Sequence, residues 1–236
     1  MSATVGQGPD LLVALDAGLR ALGLVLLGAF HPVPDDGVPA QPDGRASRTL
    51  ILAGNVGGSL WPSFSAAPEA GDGRPDPLDR WSARVIAALA EEAGGVALFP
   101  FGGPPHLPFQ RWARRGAALA ASPLGVLIHP EFGLWHAYRG AIALAEALAL
   151  PPAAARRSPC EDCADKPCRA ACPVGAFTAA GYDVTACAGH VAAAAGSDCL
   201  GLGCRARRAC PVGQAHHYPA AQARLHMSAF LAARSS

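Results

Sequence analysis

Residues 160–173 read CEDCADKPCRAACP, and residues 199–211 answer with CLGLGCRARRACP. The first stretch sets Cys160, Cys163, Cys168 and Cys172 in a C-x2-C-x4-C-x3-C-P pattern. Cys187 follows alone, and the second stretch adds Cys199, Cys204 and Cys210 after gaps of eleven, four and five residues. All eight cysteines fall between positions 160 and 210, and the first 159 residues hold none. Thiols gathered this way mark a cofactor site rather than scattered core residues.

The spacing is close to the C-x2-C-x2-C-x3-C-P run of bacterial ferredoxins. There, three neighbouring thiolates grip one four-iron cubane and the fourth, turned away by its proline, ligates the other. Here two extra residues precede Cys168. The Cys-Pro ending occurs twice, at Cys172-Pro173 and Cys210-Pro211, each followed by Val-Gly, so the repeated CPVG signals an internal duplication. Cross-ligation gives a complete count: Cys160, Cys163, Cys168 and Cys210 for one cluster, and Cys187, Cys199, Cys204 and Cys172 for the other. Zinc is the competing metal, since two tetrahedral four-cysteine sites would also use eight thiolates. Zinc ribbons usually pair two C-x2-C knuckles, whereas this chain has a single one, and Cys-Pro pairs are not a zinc habit. Arg156, Arg157, Lys166, Arg169, Arg205, Arg207 and Arg208 surround the motifs. They read as solubilising charge, or as charge that offsets the clusters, tunes their potential or steers an acidic redox partner. His190, His216 and His217 lie nearby; with eight ligands already counted, they are expected beside the clusters or at the surface.

The remaining composition bounds the class. At 236 residues, with 51% hydrophobic and 16% charged residues and many glycines and prolines, the chain reads as globular and turn-rich. A formal charge of +1 argues against a general nucleic-acid binder. The apolar run at 22–30 has no basic leader before it and is too short for a membrane helix, so the sequence predicts a cytoplasmic protein with reduced thiols and no membrane partner.

Ahead of the cysteines, helix and strand signals alternate. Residues 10–21 have helical spacing, with Asp10 as N-cap and Gly23 as stop; 24–30 and 49–53 read as strands. Gly57 and Gly58 follow the second strand, where a glycine loop is either a tight turn or a close backbone contact to a cofactor. Asp76 and Pro77 open the clearest helix, with Leu78, Trp81, Val85, Ile86 and Leu89 as its apolar stripe and Gly94 and Gly95 as its end. A strand at 96–101, a basic helix around 110–120 and a strand at 125–128 complete the pattern. The predicted class is α+β: a sheet-and-helix domain over 1–150, a linker at 151–159, and a small domain of helices and loops over 160–236.

Residues 123–148 carry His129, Glu131, Trp135, His136, Tyr138 and Arg139 between two apolar runs. Each has an ordinary reading: Trp135 as core, His129 before Pro130 as a strand-end cap. Burial of Arg139 would demand an anionic partner.

Two resemblances sharpen these expectations. The cysteine half resembles the dicluster ferredoxin module of epoxyqueuosine reductases and reductive dehalogenases, although the gaps around Cys204 are longer than in their usual ending. The first half resembles the cobalamin-processing CblC proteins, through DPLDRWSARVIAAL and through GVLIHPEFGLWHAYRGAIAL. The latter follows that family's IHP-x-FG-x-W-x-A-x-RG segment. The resemblance implies a nitroreductase-like or CblC-like domain with a cobalamin or flavin pocket. Gly57, Gly58, His106, His129, Trp135 and Arg139 would be its cofactor-contacting residues, with Arg139 in the catalytic role of binding the thiol co-substrate. Together they imply an iron-sulfur oxidoreductase that takes electrons from a flavodoxin, ferredoxin or reductase and passes them through two 4Fe-4S clusters to a corrinoid. A ferredoxin-type electron-transfer protein without its own substrate, and an epoxyqueuosine-type reductase acting on tRNA, are the alternatives.

Overall fold

The computed structural model describes residues 9–117, 119–152 and 157–234. The chain forms two compact units, Met1–Ala118 with Ala137–Ala155 and Leu119–His136 with Arg156–Ser236. Most of the expected linker at 151–159 borders or falls on residues 153–156, which lie outside the described residues, as does Arg156.

In chain order the first unit contributes α1 (Pro9–Ala21), β1 (Val25–Phe30), β2 (Thr49–Val56), α2 (Trp61–Ser65), α3 (Pro77–Glu92), β3 (Val96–Leu98) and α4 (Phe109–Ala117). The strands β4 (Ala120–Ala121) and β5 (Leu127–Ile128) belong to the second unit, and β6 (His136–Leu144) carries the chain back to the first. The four-stranded sheet has the order β1-β2-β6-β3, with β1 antiparallel to β2 and β3 antiparallel to β6. The class is α+β, with small antiparallel sheets.

The sheet is built on β2, whose residues 49–55 are all buried. Gly54 is required there: a Cβ would stand 2.0 Å from the Ala137 carbonyl oxygen of β6. The buried polar groups of β2 are satisfied. Thr49 Oγ1 donates to the Glu146 carbonyl (2.7 Å) and accepts from the Leu148 N–H (2.9 Å), and Asn55 Nδ2 donates to the Gly57 carbonyl (2.9 Å). Phe109 and Trp112 of α4 pack with Phe30, Leu50, Leu52, Ala141 and Ala143. Ile86 of α3 covers Gly140, on the alternate side of β6. Leu78, Trp81, Val85 and Ile86 of α3 are buried as the stripe predicts, each contributing about 2 kcal/mol of apolar burial. Leu89 is half-buried and meets Gly18 of α1.

Several boundaries move. Asp10 lies inside the first turn of α1 rather than capping it, and Asp76 holds the N-cap position of α3 without a side-chain cap bond. Gly23, at φ +71°, ends α1 as expected. The strand predicted at 96–101 stops at Leu98, because Pro100 has no N–H to give a ladder. The strand predicted at 125–128 shrinks to β5, since Gly125 forms the turn of the β4-β5 hairpin.

The second unit continues through α5 (Pro167–Ala170), β7 (Phe177–Thr178), β8 (Gly181–Tyr182), α6 (Val184–Ala192), α7 (Ser197–Leu202), α8 (Arg205–Arg208) and α9 (Ala220–Ala232). Its extent differs from the expected 160–236, because residues 119–136 belong to it. Backbone packing explains the difference. A Cβ on Gly133 (φ +58°) would stand 2.1 Å from the Val212 carbonyl oxygen, and one on Gly213 (φ +76°) would stand 2.3 Å from that of Phe132. The Phe-Gly of the IHPEFG segment therefore nests against the Val-Gly of the second CPVG. Leu124, Ile128 and Leu134 share one core with Cys168, Ala206 and Cys210.

Candidate metal centres

Within the second unit the eight cysteines separate into two fours. One cavity is lined by Cys160, Cys163, Cys168 and Cys210 together with Lys166 and Pro211. The other is lined by Cys172, Cys187, Cys199 and Cys204 together with His190 and Arg205. The local structure explains the exchange. After α5, Cys172 accepts from the Ala176 N–H (3.3 Å), in the turn that leads into the β7-β8 hairpin. Phe177 of that hairpin stacks on Tyr182 and walls the second cavity. Cys187 comes from α6, which Asp183 caps by accepting the Ala186 N–H (2.9 Å). Cys199 comes from α7, and Cys204 and Cys210 flank α8 at its two ends.

The electrostatics follow the same division. Burial first, then the neighbouring thiols Cys210, Cys168 and Cys163, push the Cys160 thiol up, and burial with Cys210 and Cys163 does the same to Cys168. In the second set, burial leads again. Cys172 and Cys199 raise Cys187 while the neighbouring Tyr182 phenol pulls it back. Cys187 and Cys199 raise Cys204 against the backbone N–H groups of Arg207 and Ala206. Four thiolates so placed repel one another, and a cationic core between them would reverse the repulsion and release their protons. Among the described residues no three His, Cys, Asp or Glu side chains converge as a set for a single metal ion. The thiols instead ring two voids, an arrangement whose chemistry fits the all-thiolate shell of an iron-sulfur cluster.

The surrounding cations have individual tasks. Arg205 Nε bonds Asp198 at 2.6 Å, and Arg208 bonds the same carboxylate. Lys166 Nζ donates to the Cys163 carbonyl (3.1 Å), Arg157 pairs with Glu161 and Asp162 at the surface, and Arg169 is exposed. Arg207 is not a surface charge: its guanidinium lies 4.4 Å from the Trp135 ring centroid and 4.5 Å from that of Tyr218, and its Nε donates to the Leu134 carbonyl (2.7 Å).

The residues expected around a corrinoid or flavin divide between the units. Trp135, 1% exposed, is core of the second unit, packed by His217, Tyr218 and Arg207. His129 also belongs there. Its Nδ1 accepts the N–H groups of Glu131 and Phe132 (3.1 Å each) and its ring stacks on Phe132 at 4.2 Å, which is the strand-end cap of its ordinary reading. In the first unit, Gly57 and Gly58 form the turn after β2, where the Ser59 hydroxyl donates to the Gly23 carbonyl (2.6 Å). His106 is exposed in the loop before α4. Arg139 of β6 meets the anionic partner its burial demands, the carboxylate of Asp79 on α3.

Two neighbours of Cys187 lack the cysteine signal. Tyr182 lies beside it from the β7-β8 hairpin, and His190, which lines the second cavity, stands one turn after it on α6. The i, i+3 spacing on a helix could have placed His190 beside Cys187. No protein-family model matches the chain, and no curated protein matches it significantly.

Proposed function

We propose that this chain is an iron-sulfur electron-transfer protein with two four-iron clusters in its second unit. The supporting observation is the pair of cavities, each lined by four cysteines, with Cys172 and Cys210 of the two CPVG repeats serving opposite cavities. In each, the thiolates would hold the metal. Lys166 beside the first cavity and Arg205 beside the second supply positive charge against a negative cluster. Bound clusters of this kind take up and release electrons one at a time. The residues around them bury three of the eight thiols, and the Ala176 N–H donates to the Cys172 sulfur.

The destination of the electrons rests on the resemblance of the first half to CblC proteins and on its α+β class. Under that reading the first unit holds a corrinoid or a flavin, and the protein is an oxidoreductase supplied by a flavodoxin, ferredoxin or reductase. Arg139 would hold an anionic group only in exchange for, or alongside, Asp79.

Electron paramagnetic resonance of anaerobically purified, dithionite-reduced protein tests the cluster reading. Two reducible centres per chain are expected, with the line broadening of neighbouring spins. A silent, colourless protein rules it out.

A further inference from the structure

His190 presents a buried Nε2 with no hydrogen-bond partner, and its side chain lines the cavity of Cys172, Cys187, Cys199 and Cys204. The rest of that lining offers only weak side-chain acceptors, the cysteine sulfurs and the Met227 thioether, and Nε2 bonds none of them; Pro173, Val174 and Phe177 are apolar, and the Arg205 guanidinium is itself a donor engaged with Asp198.

We infer that His190 would donate its Nε2–H to a sulfur that a bound cluster brings into the second cavity, and so raise that centre's reduction potential above the value four thiolates alone would set. This rests on the cluster reading above. Hydrogen bonds to the sulfurs are among the determinants of cluster potential. A donated N–H favours the more negative, reduced form: as one electron is added, the sulfurs become better acceptors. The first cavity has no histidine in its lining; the side-chain cation there is Lys166, which is bonded to the Cys163 carbonyl. The two centres are thus made unequal by residues of this chain.

Anaerobic potentiometric titration of the full-length holoprotein, followed by electron paramagnetic resonance, tests the inference. His190→Leu is expected to lower one of the two midpoint potentials and leave the other in place. The signal that moves is the one abolished by Cys187→Ala. His190→Gln, whose Nε2 extends to a similar reach, is expected to stay near the wild-type potential. An unchanged midpoint in His190→Leu, or a Gln variant that falls as far as the Leu variant, overturns the inference. If His190→Leu fails to retain its iron, His190→Phe, closer in volume, carries the same comparison. Loss of the second centre in Leu, Phe and Gln variants alike also overturns it, since His190 would then be a ligand or a packing residue. Metal analysis of the wild type separates the two claims: absence of iron there defeats the cluster reading itself, and the inference with it.

Discussion

Cys210 lines the same cavity as Cys160, at the opposite end of the cysteine-bearing region, while Cys172, the nearest cysteine after Cys168, lines the other. Under the two-cluster reading, the crossing makes the two centres interdependent in sequence. Cys210→Ala should abolish the same spectroscopic signal as Cys163→Ala, and Cys172→Ala the same signal as Cys187→Ala, each halving the iron content. If Cys210→Ala instead matched Cys187→Ala, each motif would serve its own cluster and the assignment would be wrong.

The Arg139–Asp79 pair ties β6 to α3, with side-chain exposures of 12% and 35%. Burial raises the Asp79 carboxyl pKa, against the opposing pull of Arg139. Removing Asp79 leaves the more buried charge without its carboxylate, so Asp79→Ala should destabilise the fold more than Arg139→Ala. The latter should cost about 1–2 kcal/mol, less than the loss of a partner in a fully buried pair because Asp79 keeps a third of its exposure. Chemical denaturation of both single variants and the double variant checks this: the double variant should cost less than the sum.

His136 should make stability fall in mild acid. Burial first, then His129, lower its pKa to about 4, while the bond to the Gly133 carbonyl partly opposes them. Between the ordinary imidazole value near 6.5 and pH 4 the unfolded chain binds the extra proton and the native chain does not. Stability therefore declines as pH drops through that window and levels off below it, by up to about 3 kcal/mol in all. His136→Asn keeps a donor for Gly133 and removes the titration. Its unfolding midpoint should vary less than wild type between pH 7 and pH 5, and parallel slopes would exclude His136 as the source.

The grouping of the cysteines was legible because it is covalent sequence: the two cavities are lined by the same two fours that the thiol spacing and the two CPVG repeats suggest. Helix α3 was legible for local reasons, with Pro77 in the first turn and a stripe of large apolar residues. Strand β6 was not. HAYRGAIAL is alanine-rich, with Ile142 its only β-branched residue, and it becomes a strand through pairing with β3 and burial of residues 140–144. Nor could the place of Trp135 and His129 be read, because it depends on Gly133 meeting Val212, two residues far apart in sequence. His190 was noticed, but its place in the lining of the second cavity is a tertiary fact.

The corrinoid expectation has a direct test. Adding cobalamin to the purified protein should shift the corrinoid visible bands and saturate at one equivalent. Arg139→Ala should weaken that binding or its turnover beyond its effect on stability. Absence of any spectral change would leave electron transfer through the second unit standing and remove the corrinoid from the account.

The central claim is the presence of two iron-sulfur clusters, and iron, zinc and acid-labile sulfide counts on anaerobically purified protein test it most directly. The account predicts about eight irons and about eight sulfides per chain. About two zinc ions per chain with no labile sulfide would contradict it.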